Sequence, residues 1–303
     1  MRNVQKYQGI IPAFYACYDD RGEISPERTR ALAAHLIKKG VKGLYVGGSS
    51  GECIYQSVED RKLTLENVMD AAQGKVTVIA DVAANNTRDS QALAQHAEAL
   101  GADAIAAIPP IYFHLPEYAI AEYWNTISSS APHTDFIIYN IPQLAGTTLT
   151  LPLLRRMLEN PCVVGVKNSS MPTQDIQMFK EAAGTDRVVL NGPDEQLVSG
   201  LAMGADGGIG GTYAVMPELY LSIFAAVQNG ELEKARQIQY KANAIIGKMC
   251  SCHGNLYAVM KEILRLREGI CLGGVRRPLP GLAPEDGPVV EQCCEMIREA
   301  LLI

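Results

Sequence analysis

No apolar run in this chain approaches the ~20 residues that a membrane helix needs, which argues against a spanning segment. The opening residues, MRNVQKYQGIIPAFY, lack an apolar core followed by a small-residue cleavage site. No signal peptide is expected, and the cytoplasm is the expected compartment. Positive charge is not in excess: the net charge is −6. That argues against nucleic acid and against an anionic membrane surface as partners. The eight cysteines form no Cys-x-x-Cys pair, and Cys250-Ser251-Cys252-His253 fits no usual ligand spacing. Reduced packing thiols and no metal are therefore expected. No Gly-x-Gly-x-x-Gly opens a helix after the first apolar run, which disfavours an open dinucleotide-binding sheet.

What is present is a repeat. Short apolar runs start at Gly9, Gly43, Val76, Ala104, Phe136, Val163, Arg187 and Gly207, and each is followed by a helical pattern. Ser25 before Pro26, Ser57 and Thr87 stand where helix caps belong. Gly40, Gly101, Gly184 and Gly204 stand where helices stop. The junctions Gly101-Ala102-Asp103-Ala104-Ile105 and Gly204-Ala205-Asp206-Gly207-Gly208-Ile209 echo one another. Eight β/α units over roughly 215 residues predict an α/β fold of the TIM (β/α)8 barrel type. From about Pro217 the pattern is helical only. The expected division is a catalytic barrel over 1–216 and a C-terminal helical extension over 217–303.

Chemistry in such barrels sits at the carboxyl ends of the strands. The sixth run, Val163-Val164-Gly165-Val166-Lys167, ends there on a lysine. Burial that lowers its pKa from ~10.4 to ~7–8, at a cost of roughly 4 kcal/mol, makes it a nucleophile for a ketone. A salt-bridged lysine at a strand end is the other reading, and these residues alone leave both open. The fifth run ends in Tyr139-Asn140-Ile141-Pro142, which brings a phenol to the same mouth for proton transfer or for packing. The second ends in Gly47-Gly48-Ser49-Ser50-Gly51-Glu52, whose amides and hydroxyls suit an anion such as a carboxylate. Lysine, tyrosine and anion loop together point to an enzyme for 2-oxo acids.

These motifs, with Gly165-Val166-Lys167-Asn168-Ser169-Ser170 and Asn191-Gly192-Pro193-Asp194-Glu195, resemble the dihydrodipicolinate synthase/N-acetylneuraminate lyase family of class I aldolases over about residues 9–277. The resemblance implies a barrel with a helical extension, a homotetramer, and neither metal nor organic cofactor. It implies that Lys167 forms the Schiff base and Tyr139 relays protons. Ser49 and Ser50 would hold the 2-oxo carboxylate, with Ser169 beside them. Tyr112 would reach across a subunit contact to join Ser49 and Tyr139, and Gly192, Asp194 and Glu195 would hold the sugar polyol. Asp194 and Glu195 also read as first-turn helix acids.

Within the family, the Gly47–Glu52 loop and Tyr139–Gly146 look like the lyase branch. Leu144 stands where the synthase branch carries an arginine for a second carboxylate, and a leucine cannot pair with one. Gly211 replaces a serine that touches the polyol, Pro193 a tyrosine and Ser169 a threonine, so the tail pocket departs from the pattern. Gly211 is expected to leave open space there. The expected reaction is reversible cleavage of N-acetylneuraminate. The alternatives are an aldolase for 2-oxo-3-deoxygluconate or 4-hydroxy-2-oxoglutarate, the synthase, and a non-catalytic ligand sensor or scaffold.

Overall fold

The computed structural model describes residues 2–302. Eight parallel strands follow one another around a barrel: β1 (Gly9–Pro12), β2 (Gly43–Val46), β3 (Thr77–Asp81), β4 (Ala104–Ala107), β5 (Asp135–Asn140), β6 (Val163–Asn168), β7 (Val188–Asn191) and β8 (Gly207–Gly210). Each strand pairs with its sequence neighbours, and β1 pairs with β8. The ring closes between β1 and β2, where the Phe14 amide donates to the Tyr45 carbonyl (2.8 Å) and the Lys42 amide to that of Ile10 (2.9 Å). Every residue of these strands is buried, because one face meets the barrel interior and the other meets helices. Two apolar layers result. Ile11, Tyr45, Ile79, Ile137, Val164, Leu190 and Ile209 fill the barrel. Ile10, Leu44, Val78, Ile105, Ile138, Val166 and Val189 face outward into the shell of helices.

The helices are α1 (Pro26–Lys38), α2 (Val58–Ala72), α3 (Thr87–Ala99), α4 (Glu117–Ser129), α5 (Pro142–Ala145), α6 (Leu151–Leu158), α7 (Thr173–Ala183), α8 (Leu197–Ala202), α9 (Pro217–Gln228), α10 (Leu232–Met249), α11 (Leu256–Glu268) and α12 (Gly287–Ala300). The expected punctuation holds at α1, where the Ser25 hydroxyl accepts from the Arg28 amide, and at α2, where Ser57 and Asp60 cap reciprocally. It shifts by one residue at α3. There Asn86 is the cap, accepting from the Asp89 amide, and Thr87 is the first helical residue. The side-chain carbonyl of Asn86 already reaches the third amide, so the threonine hydroxyl is not needed. Gly40, Gly101, Gly184 and Gly204 all have positive φ, as helix stops require. Helix α9 packs on β1 and α8, the place of the eighth barrel helix, which a division at residue 216 assigns to the C-terminal region.

Gly165 fixes how β6 sits between its neighbours. The β5–β6 register shifts between Phe136 and Ile137, opposite Val163 and Gly165. On the other side a Cβ at Gly165 would lie 2.2 Å from the Val188 carbonyl oxygen. Gly165→Ala is therefore expected to destabilise the fold by about 3 kcal/mol, in the range for overpacking a core. Gly247, inside α10, has open space around its absent side chain. Gly247→Ala is expected to stabilise by roughly 1 kcal/mol. Urea unfolding of both variants checks the pair, and a Gly165→Ala midpoint equal to wild type would refute the packing account.

Candidate active site

Strand register brings the first two candidates together. Tyr139 and Lys167 are Cα partners across β5 and β6, so both side chains point the same way at the same height. The amide pairs beside them hold this end in place. Asn140 donates to Asn168 (2.7 Å), Asn168 to Ser170 (2.8 Å), and Ser170 to Asp175 (2.6 Å). The Lys167 side chain runs inward until Nζ stands 3.7 Å from the Tyr139 ring centroid and 4.0 Å from that of Tyr45. The two rings meet edge to face at 5.7 Å.

This geometry sets aside the salt-bridged reading of the lysine. Lys167 is buried, and among the described residues no carboxylate lies within salt-bridge distance of it. Burial removes water from the ammonium and lowers its pKa to about 7. The charges of Asp81 and then Asp194 act the other way and are outweighed. The aromatic faces also favour a cation. Even so, a substantial fraction of the amine is neutral at physiological pH.

Tyr139 has the opposite tuning. Desolvation, and then the Asp81 carboxylate, push its pKa up, while the Ser49 and Ser169 hydroxyls beside it act downward. It stays a protonated phenol at neutral pH and can hand its proton along those hydroxyls. Ser49 and Ser50 lie in a single tight turn after β2. Glu52 closes that turn but does not line the cavity. Its carboxylate is buried, accepting from Lys261 (2.7 Å), the Tyr18 hydroxyl (3.1 Å) and the Arg276 amide (2.7 Å).

After β7 the chain passes so close to β6 that a Cβ on Gly192 would fall 1.9 Å from Ser169 Oγ. Only glycine fits there, and the turn delivers Asp194 to the cavity wall. Asp194 is buried, and both the amide and the hydroxyl of Thr212 donate to Oδ2, at 2.6 Å each. Desolvation raises its pKa to about 6, against the pull of Thr212. Asp194 is thus held by Thr212 rather than by amides of its own short turn, which sets aside the helix-dipole reading for it. Glu195 is exposed at the rim.

Lys167, Tyr139, Ser49, Ser50, Ser169, Gly192, Asp194, Glu195 and Gly211 all line one cavity of about 470 Å³ at the carboxyl ends of the strands. Tyr112 does not. It is 88% exposed, edge to face with Phe113 at 5.0 Å, and held at φ +84°. The expectation of open space at Gly211 fails. A Cβ there would lie 3.2 Å from Ser50 Oγ and 3.9 Å from Asp194 Oδ2, because β8 brings this position against the anion loop. Sequence reading missed the third wall. Leu256, Tyr257 and Met260 reach the cavity from α11. Tyr257 faces Ser50, and burial raises its pKa to about 12. Their helical spacing looks the same in sequence as ordinary core packing, so no signal marked them.

A neutral amine beside a protonated phenol and a hydroxyl-rich turn is equipped to attack the ketone of a 2-oxo acid and to move protons afterwards. On a (β/α)8 barrel, that combination defines the Schiff-base class of aldolases. The chain belongs to the dihydrodipicolinate synthetase family, whose model matches residues 6–296. It is similar to the N-acetylneuraminate lyase of Mediterraneibacter gnavus, at 65% identity over 99% of this chain and 95% of that one. The N-acetylneuraminate lyase of Salmonella agona is 32% identical over 96% of this chain and 97% of that one. The sialic acid aldolase of Ruminococcus gnavus, solved as a catalytic lysine mutant, superposes with a TM-score of 0.99 at 64% identity, covering 100% of this chain and 99% of that one.

The tuning of Lys167 has a thermodynamic signature. In the unfolded chain the amine keeps its proton up to its ordinary pKa of 10.5, and in the fold it releases it near 7. Between those values the unfolded chain binds more protons, so stability rises with pH across that window. Below it the full burial cost applies, on the order of 5 kcal/mol. Lys167→Met is expected to raise the melting temperature most at pH 6 and least near pH 10. Melting curves at both pH values check this, and an equal gain at both would show an ordinary lysine.

Proposed function

We propose that this protein cleaves N-acetylneuraminate reversibly to N-acetylmannosamine and pyruvate through a Schiff base on Lys167. The observation that carries the reading is the buried amine, unpaired and tuned to about 7, set against Tyr139 at a strand mouth. The N-acetylneuraminate lyases and the sialic acid aldolase that resemble the chain support this substrate over other 2-oxo sugar acids. In the proposed reaction Ser49 and Ser50 hold the carboxylate. Neutral Lys167 adds to the C2 carbonyl and water leaves. The iminium then draws in the electrons of the C3–C4 bond as the C4 hydroxyl loses its proton, with Tyr139 and the Ser49 and Ser169 hydroxyls as the relay. The aldehyde departs. The pyruvate enamine takes a proton at C3, and water releases it from the lysine. Asp194 and Glu195 take the polyol end. Neither metal nor organic cofactor enters these steps, and the direction of turnover follows the ratio of the two products to N-acetylneuraminate.

Cavity composition speaks against the synthase reaction. Among the described residues Lys167 is the one cation lining the cavity, and Leu144 stands at its rim, so a second carboxylate has no partner. The exposed Tyr112–Phe113 pair is suited to burial against another copy, which supports a homotetramer in which Tyr112 completes a neighbouring site. The free cysteines fit a cytoplasmic setting.

Treatment with pyruvate and borohydride is expected to add a reduced pyruvyl group to Lys167, read by peptide mass. Labelling of another lysine, or of none, removes the mechanism. Tyr139→Phe is expected to retain pyruvate binding and to lower kcat by roughly 10²–10⁴, the range for a positioned acid–base group. Unchanged turnover would leave Tyr139 as packing.

Selectivity gives a separate check. Condensation of pyruvate with aspartate semialdehyde is expected to be slower than cleavage of N-acetylneuraminate; the reverse order would favour the synthase branch. Gly211→Ser, which presses on Ser50, is expected to raise the KM for pyruvate by about tenfold, as overpacking of 1–3 kcal/mol implies. An unchanged KM would mean that Ser50 moves aside freely.

A further inference from the structure

The carboxylate of Asp81, at the end of β3, is buried in the barrel wall and has no part in the steps above. Its Oδ2 accepts from the Tyr45 hydroxyl at 2.8 Å, and its Oδ1 from the Ala83 amide at 3.0 Å. Arg61 reaches it from α2, with Nη2 3.7 Å from Oδ1. That guanidinium is mainly committed to carbonyl groups, at 2.6 Å to Ala83 and 2.7 Å to Asp81 itself. A buried ion pair of this kind adds little stability over apolar residues of similar volume. The carboxylate is nevertheless held by two hydrogen-bond donors besides the ion pair, and one of them is the hydroxyl of the tyrosine whose ring walls Lys167.

We propose that Asp81 is a positioning residue for the chemistry of Lys167: it anchors the Tyr45 ring against the amine, and its charge offsets the cation that forms on that nitrogen. This rests on the Schiff-base reading. In that step Nζ bonds to the carbonyl carbon. The carbonyl oxygen leaves as water, carrying one amine proton and one proton taken up. The nitrogen is then a positively charged iminium in the same dry site that disfavours an ammonium.

Several other groups face this nitrogen. Tyr45 from β2 and Tyr139 from β5 stay protonated, because burial raises both phenols. Cys53, in the turn after β2, is kept a neutral thiol by burial that lifts it to about 11. Asp194, in the turn after β7, has one oxygen tied up by Thr212. Asp81 itself is faced by Arg61 from α2 and by the Tyr123 phenol from α4. Of the groups that favour a proton on Lys167, Asp81 acts most strongly.

The test follows the pyruvate adduct, trapped with cyanoborohydride, as a function of pH in wild type, Asp81→Asn and Tyr45→Phe, together with kcat and KM for N-acetylneuraminate. Asp81→Asn keeps the shape and removes the charge. With that anion gone the amine loses its proton more easily, so the acid limb of trapping is expected to move down by about one pH unit. On the alkaline plateau kcat is expected to fall about tenfold or more, with a smaller change in KM, as the iminium loses its counter-charge. Tyr45→Phe keeps the charge and frees the ring. Its acid limb is expected to stay in place while plateau trapping slows about tenfold, as for a misplaced nucleophile.

An Asp81→Asn limb that coincides with wild type, at unchanged kcat, overturns the proposal while leaving Lys167 labelling intact. If Asp81→Asn does not fold, an unchanged plateau in Tyr45→Phe overturns it. A wild type that traps no adduct on Lys167 overturns the Schiff-base reading, and this proposal with it.

Discussion

The structure is organised around an amine that must be kept dry without a partner. Lys167 ends its strand between two tyrosine rings, where an ammonium is poorly solvated and, among the described residues, no carboxylate pairs with it. A small domain could not easily bear that cost. Here it is offset by two continuous apolar layers, one filling the barrel and one outside it. The closed ring of strands matters for the same reason. An open sheet would leave the end of β6 in solvent, and the amine would recover an ordinary affinity for its proton.

Around that constraint, buried charges come in braced sets. Asp81 is held by Tyr45, Ala83 and Arg61. Glu52 is held by Lys261, Tyr18 and Arg276, beneath the serine turn. Lys261 and the wall residues Leu256, Tyr257 and Met260 all come from α11, and Arg276 follows that helix. The helical extension therefore does more than cover the barrel. One of its faces supplies a side of the cavity, and a buried ion pair from it fixes the loop that is proposed to bind the carboxylate. Removing either partner would leave a buried charge unpaired, so barrel and extension are coupled at this point.

The architecture and the centre of the candidate site were legible along the chain. Eight apolar runs with capped helices between them specify a (β/α)8 barrel, because alternation of buried strand and amphipathic helix satisfies few other arrangements. Position at a strand end then singled out Lys167, Tyr139 and the Ser49-Ser50 turn, since register alone places such residues at one mouth. What depends on distance across the chain emerged only on folding. Whether Lys167 is paired or bare turned on where Asp81 and Asp194 come to rest, some 86 and 27 residues away in sequence. The space at Gly211 turned on how β8 meets the anion loop, and a sequence cannot show a 3.2 Å approach to Ser50. The wall from α11 was invisible because a helix face that lines a cavity and one that packs a core have the same periodicity. Local propensity is written along the chain, whereas desolvation and steric fit are properties of the neighbours that folding supplies.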